Sequence, residues 1–558
     1  MKKKCIVILA IVMAIVMSVP IMAMPAEHNL QANVTDPTPL DLGLIPVRDF
    51  FEQEAGATVV WDSAQRSINI SIGDDTVVIL TDQPLAFVGE TPVQLQDGIV
   101  LWQGIAFITE ADLLRLYLAL MGIELETATF YLTEEARDLA LYDFDHMVNL
   151  ILENSVWDNI IYRRLGIPFD QHVARNRAYI ENMVPREWPV ILEEIPLRDG
   201  DDARSLAANY LASLLTFDFA MPLQGIGHLG MRHLSIYRMQ AAGLYRALHN
   251  EDFDLTNSFI NLLMLDAFLH PDAVWFYGEI EVDLDEEVST WPEIPGNIVT
   301  EILVPGEVAY LGIQSFLSCP FFDDLTILPF LQEVQDFNHL IIDIRGNAGG
   351  YANYFAPFIF QRLISETMEV SSHEFFTTGD VAAIWMDALL RTVIYMEPED
   401  GWPEGYYLNV VPAADFAAER GLNLMNRADL ARLDYVIVSA STVQPAEDSV
   451  NFGGQIWLLV DGGSASASVG AALLTQYTGF ATIVGEPTSG VMSAVFSYNV
   501  LPNTGIIWRI DIGHFTDAYG RSVEEHGVIP DVLNFPGMDA VETVLALIAE
   551  GRDVETDY

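Results

Sequence analysis

The chain is predicted to fold as an α/β protein, a mixed sheet flanked by helices, with a helical cap and a small N-terminal α+β module ahead of it. Two distant segments and one periodic stretch carry that expectation. LIIDIRGNAGG (Leu340 to Gly350) is a β-branched run suited to a buried strand, and it ends in a glycine turn. IWLLVDGGSASASVGAALL (Ile456 to Leu474) is a second strand that breaks at Asp461-Gly462-Gly463 and passes into a helix-prone stretch from about Ser466. Between 127 and 250 the apolar residues recur at helical spacing instead, as in LALYDFDHMVNLILENSV and DARSLAANYLASLLTFDF.

From the N-terminus, Lys2-Lys3-Lys4, an apolar stretch from Cys5 to about Val19 and the small residue Ala23 read as a secretory signal over 1–23, which predicts an exported, extracellular or cell-surface protein. No later run of about 20 apolar residues suggests a membrane span. A Pro-containing linker follows over 24–39, and 40–123 is a compact β-rich module. There the spacing of Pro46-Val47-Arg48, Gly56-Ala57, Trp61-Asp62 and Ile68-Asn69-Ile70 resembles the copper amine oxidase N-terminal-like domain. The stretch holds no His and no Cys to ligate copper, so the expected role is a stalk or cell-wall contact. The helical region extends over 127–292, its end from about 251 being Asp/Glu-rich and unassigned. Strands and helices alternate over 297–550, and the stretch from about Ser371 to Asn451, with Pro398 and Gly401-Trp402-Pro403, reads as an insertion.

Composition narrows the function. Lys2, Lys3 and Lys4 are the only lysines, and without the first 23 residues the formal charge of −53 becomes −56. Such acidity argues against nucleic acid or anionic lipid as partner and favours neutral or cationic ones. Cys319 alone remains after processing, so no internal disulfide forms and stability rests on packing.

The two strand-to-turn segments point to nucleophilic catalysis. Glycines after the first strand let main-chain N–H groups face a ligand with no Cβ in the way, as an oxyanion hole requires. A serine at the start of the second segment's helix would sit among free N–H groups at the positive end of the helix dipole.

LIIDIRGNAGG, VDGGSASASVGAALLTQYTGFATIVGEPTSG (Val460 to Gly490) and GRSVEEHGVIPDV (Gly520 to Val532) occur in the order and spacing of the C-terminal processing peptidases. Over residues 138–540 the chain resembles that family, also called tail-specific proteases, which includes the tricorn-type serine peptidases. The resemblance implies a peptidase acting through an acyl-enzyme, with Ser466 as nucleophile and Ser464 and Ser468 as competitors. It places Ala467, Gly349 and Gly350 at the oxyanion hole, with Ala348 in a common glycine position, and implies no metal or other cofactor. Asp343 and Arg345 read as a structural ion pair. Where the best-known branch has a lysine base, this chain has Val491, and Val469 replaces a glutamate after Ser-Ala-Ser. With no lysine beyond residue 4, the resemblance points to the tricorn-like branch, whose base is a histidine in the helical region. GIGHLGMRHL (Gly225 to Leu234) makes His228 that candidate, with His233 and His526 behind it. The orienting carboxylate falls on Glu524, with Glu525 as substitute, and Gly227 stands where relatives carry a linking serine. No segment of the size of a tail-binding PDZ domain is evident. The expected substrate is a peptide or protein; a catalytically silent ligand-binding relative and an esterase are the other readings.

Overall fold

The computed structural model describes residues 45–551, apart from short stretches between 49 and 126 and the segments 190–194, 224–226, 250–258, 280–293, 396–406 and 493–494. The expected signal and linker, 1–39, lie outside the described residues.

In the N-terminal module, strands Thr58–Asp62, Ser67–Ile72, Asp75–Leu80, Leu85–Val88 and Thr91–Gln94 pair antiparallel in sequence order. Alternate residues of the meander turn one way, so Ile68, Ile70, Val77, Ile79 and Ala86 form a core with Val47, Phe51 and Leu116.

The helical region holds α1 (Glu134–Asn154), α2 (Trp157–Leu165), α3 (Phe169–Glu181) and α4 (Ala203–Leu214). Thr133 caps α1 and Asp202 caps α4 through their side chains, and Gly166 ends α2 in a left-handed conformation at φ 70°. After α4 the chain continues helically to Leu223, giving a run long and apolar enough to cross a membrane that the sequence reading passed over. That run is 61% buried in the cap's core, against Phe144, Ile151 and Trp508, and is a core helix. A short strand β1 (Gly230–Met231) precedes α5 (Leu234–His249). The unassigned acidic region contains α6 (Phe259–Phe268) and α7 (Pro271–Tyr277).

The remaining chain begins with β2 (Ile298–Val304), β3 (Val308–Ile313), α8 (Pro320–Val334) and β4 (His339–Asp343). It continues with β5 (Met368–Phe376), α9 (Asp380–Tyr395), β6 (Tyr407–Pro412) and β7 (Tyr435–Val443). Then come β8 (Gln455–Val460), α10 (Ala467–Thr478), β9 (Thr482–Gly485), β10 (Phe496–Val500), β11 (Ile507–Asp511) and β12 (His514–Phe515). The last elements are α11 (Val523–His526), β13 (Val532–Leu533) and α12 (Ala540–Glu550). The main sheet runs β2-β3-β4-β8-β9-β13, parallel except for the antiparallel edge strand β2. Its inner strands are covered on both faces, which is why they read as continuous apolar runs. Leu340, Ile342, Leu458 and Val460 turn to one core, while Ile341, Trp457 and Leu459 turn to the other, under Val544 and Leu547 of α12.

The stretch read as an insertion builds a second sheet, β6-β7-β5-β12, in which β12 comes from between β9 and β13 of the main sheet. Its alternating polar residues, such as Glu374 between His373 and Phe375, hid the strand pattern. A third sheet, β1-β11-β10, ties the helical region to the core. Polar anchors reinforce that tie: Asp143 of α1 accepts from the N–H groups of Asn503 and Thr504, and the Trp157 indole donates to Asp511 O at 2.6 Å.

Candidate active site

Ser466 occupies the N-cap of α10, just past the C-terminal end of β8, where open parallel sheets bind ligands. Its backbone is left-handed, φ 53° and ψ −117°, a conformation that costs a non-glycine residue about 1–3 kcal/mol and concentrates at functional sites. The Ser466 N–H donates to Val491 O at 2.5 Å and Gly470 N–H donates to Ser466 O at 3.1 Å, so the surrounding chain holds the turn. Val491, in the position of the absent lysine, therefore contributes its carbonyl to the backbone of Ser466. Ser466 is half-buried, and its hydroxyl has no hydrogen-bond partner among the described residues. The competing serines are placed otherwise. Ser464 is fully buried and donates to Ile344 O at 2.9 Å, pinning the two strand ends together, and Ser468 is buried inside α10.

The glycine turn after β4 lies directly against this serine. A Cβ on Gly349, whose φ is 91°, would come within 2.5 Å of Ala465 O and 2.8 Å of Ala467 N. Gly350, at φ 141°, backs onto Phe316 and Leu317. Both positions demand glycine for close approach. Asn347 organises the turn by accepting from Gly349 N–H at 2.9 Å and donating to Ile313 O at 3.0 Å, while its own carbonyl takes Ala465 N–H. Gly349, expected as an oxyanion donor, has its N–H committed to Asn347. The N–H groups of Gly350 and Ala467 have no acceptor among the described residues.

His228 stands beside the third sheet, and among the described residues no hydrogen bond joins it to Ser466. Gly230 pairs with Arg509, so the antiparallel register carried two residues further sets His228 opposite Asp511. The His228 N–H donates to Asp511 Oδ2 at 2.7 Å, and His228 Nδ1 lies 2.9 Å from the same oxygen. Asp511 is fully buried and also accepts from Arg509 Nε at 3.3 Å. Burial opposes its ionisation, but His228 and Arg509 outweigh that and hold the carboxyl below the usual carboxylate range. Gly227 is required here: a Cβ at its φ of 52° would meet the Trp157 ring at 2.7 Å and Asp511 Oδ2 at 2.9 Å. The carboxylate of Asp511 fills the space where a linking serine would stand.

The carboxylate that bonds His228 is therefore Asp511 and not Glu524, where it was expected. Glu524 is fully buried in α11, and its backbone carbonyl accepts from Arg164 of α2, but its carboxylate does not bond His228. Glu525 pairs with Arg163 at 2.8 Å, which also grips Asp429, and His526 stands beside Glu525. His233 sits just before α5, at the backbone of Tyr237. Arg345 and Asp343 form the expected ion pair at 2.7 Å. Asp511 carried one sequence signal: with Arg509 it is one of the two charged residues inside the apolar run Ile506 to Ile512. Among the described residues no cluster of His, Cys, Asp or Glu is placed to hold a metal ion.

Residues 307–533 match the sequence profile of peptidase family S41, and residues 41–113 match that of the copper amine oxidase N-terminal domain. Among solved structures, mature CPAF complexed with lactacystin is 11% identical over 75% of this chain and 100% of that one, with TM-score 0.39. The photosystem II D1 C-terminal processing protease is 16% identical over 44% of this chain and 51% of that one, with TM-score 0.27. The tricorn protease is 9% identical over 89% of this chain and 41% of that one, with TM-score 0.31. At these scores it is the sequence match that assigns the family. Residues 307–533 belong to peptidase family S41, and a copper amine oxidase N-terminal domain precedes them at 41–113.

Proposed function

We propose that the protein is an exported serine peptidase with Ser466 as nucleophile, His228 as general base and Asp511 as its orienter. The observation that carries the reading is the His228–Asp511 pair at 2.9 Å, held through Nδ1, which leaves Nε2 to take a proton. The reading rests also on a serine on a strained turn beside two N–H groups that have no acceptor among the described residues. In the reaction, Nε2 takes the Ser466 hydroxyl proton as Oγ attacks the peptide carbonyl, and the carbonyl oxygen gains negative charge between the N–H groups of Gly350 and Ala467. The imidazolium, steadied by Asp511, returns the proton to the leaving amine. Water then releases the acyl group by the same route. No step calls on a metal or cofactor.

Leu317, with its backbone against Gly350, is 54% exposed, and Phe321 and Leu325 on α8 are 68% and 75% exposed. The exposed Leu317 side chain supports an apolar residue flanking the scissile bond, and the net charge favours neutral or cationic peptides. Export rests on Lys2–Lys4 and the apolar run to Val19, and the N-terminal domain is the part suited to cell-wall contact.

The test is a mixed peptide library scored by mass spectrometry, together with fluorophosphonate labelling read by intact mass. The wild type is expected to cleave and to carry the label on Ser466, and Ser466→Ala to do neither. Absence of both in the wild type would leave a ligand-binding relative on this fold; cleavage retained in Ser466→Ala would exclude the assigned nucleophile. Gly349→Ala is expected to lower kcat about 10²- to 10³-fold, the loss typical of a damaged oxyanion hole, because its Cβ would displace Ala467. Steady-state kinetics beside circular dichroism checks this.

A further inference from the structure

Glu374 is a buried acid that the catalytic steps above do not use. It lies in β5 opposite Phe515 of β12 and is 9% exposed. Its Oε1 is fully buried and has no hydrogen-bond partner among the described residues. The carboxyl presses on Gly513, where any Cβ would overlap Glu374 Oε1. Gly513 is two residues past Asp511, in the turn joining β11 to β12, so Glu374 packs against the segment that carries the orienter.

The charges around it are arranged against a further anion. Asp511 of β11 and Glu524 of α11 both repel a charge on Glu374. Arg509 of β11 is engaged with Asp511, Arg164 of α2 with the carbonyls of Glu524 and Ser489, and Arg163 with Asp429 and Glu525. His514 of β12 is pushed down to about 4 by burial and stands neutral. On the other side of Glu374 along β5, His373 is likewise pushed to about 4 by burial and bonds Thr516. Burial first, then Glu524 and Asp511, raise the Glu374 carboxyl well above its ordinary value.

We propose that Glu374 is a positioning residue of the peptidase site, a buried carboxyl wedged against Gly513 that fixes the β11–β12 turn and, through it, the Asp511 that orients His228. This rests on the reading of His228 and Asp511 given above. A proton on Glu374 lets the acid fill that space without adding a charge that Asp511 and Glu524 would oppose. When the proton leaves, repulsion from Asp511 loosens the turn.

Two readouts of Glu374→Gln test this. Folded Glu374 holds a proton that the unfolded chain releases near the ordinary value of 4.5, so the native state binds more protons as pH rises above that value. Wild-type stability is accordingly lost with rising pH from there up to the raised folded value, and Gln removes the loss. The Tm difference between Glu374→Gln and wild type is expected to widen with pH across that window. Glu374→Met, of similar volume and unable to ionise, carries the same expectation should the Gln variant fold poorly. In activity, the alkaline limb of kcat/KM is expected to move to higher pH in Glu374→Gln. Glu374→Ala, which empties the space against Gly513, is expected to lower kcat with little change in KM. A Tm difference that stays flat with pH overturns the proposal, and so does a widening difference with an unmoved kcat/KM profile. A widening difference in a wild type that cleaves no peptide would instead fell the peptidase reading, and the positioning role with it, while the buried proton stands.

Discussion

His228→Ala is expected to lower kcat by about 10⁶-fold, the scale at which removing the base of a serine–histidine pair costs as much as removing the whole unit. The size of the effect follows from what else the chain offers. No lysine occurs beyond residue 4, so no amine can take over the Ser466 proton. Glu525 is committed to Arg163, and Asp511 is buried behind the imidazole and paired with Arg509. The fold is expected to survive, because the Asp511 carboxylate keeps the backbone N–H of residue 228 and the Arg509 guanidinium as partners. Far-ultraviolet circular dichroism should therefore match wild type while cleavage vanishes. Added imidazole should restore part of the activity through the space left by the side chain. Undiminished cleavage in this variant would remove His228 from the mechanism.

The two strand-to-turn segments were legible because their chemistry and their fold pull the same way. A strand buried on both faces needs an unbroken apolar run, and a backbone that touches another backbone needs glycine, so Leu340 to Gly350 and Ile456 to Ser466 announce both facts at once. Elements with polar residues among apolar ones were harder. The strand over Met368–Phe376 carries Glu369, Ser371, Ser372, His373 and Glu374, and its partners lie far along the chain at Tyr435–Val443 and His514–Phe515. No local pattern reveals such a pairing. The carboxylate partner of His228 was missed for the same reason: Asp511 meets His228 only through the register of Gly230 with Arg509, a contact across 283 residues. Gly227 held a clue that could be read only afterwards. Its lack of a side chain looked like a missing link in the relay, whereas the structure shows the space occupied by a carboxylate already in contact with the ring.

Exchanging Asp511 for Asn separates that carboxylate from Glu524 as the group on which catalysis depends. In the wild type Asp511 Oδ2 accepts from both the His228 backbone and Nδ1, which keeps the Nδ1–H tautomer and leaves Nε2 as the acceptor facing outward. An amide can present its NH₂ to Nδ1 instead, which favours the tautomer with the proton on Nε2, and that form cannot take the Ser466 proton. A kcat loss of about 10⁴-fold is expected, with KM little changed, since the substrate does not touch Asp511. Stability should also fall, by about 3 kcal/mol, because Arg509 is left buried over the Phe496 ring without its counter-charge. Glu524→Gln is expected to cost far less activity, because its carboxylate makes no bond to the histidine and its backbone contact with Arg164 is retained. Measuring kcat, KM and Tm for the two amide variants side by side decides between them. A larger kcat loss in Glu524→Gln would return the orienting role to α11, and the Asp511–His228 contact would then be a structural tie between the helical region and the third sheet.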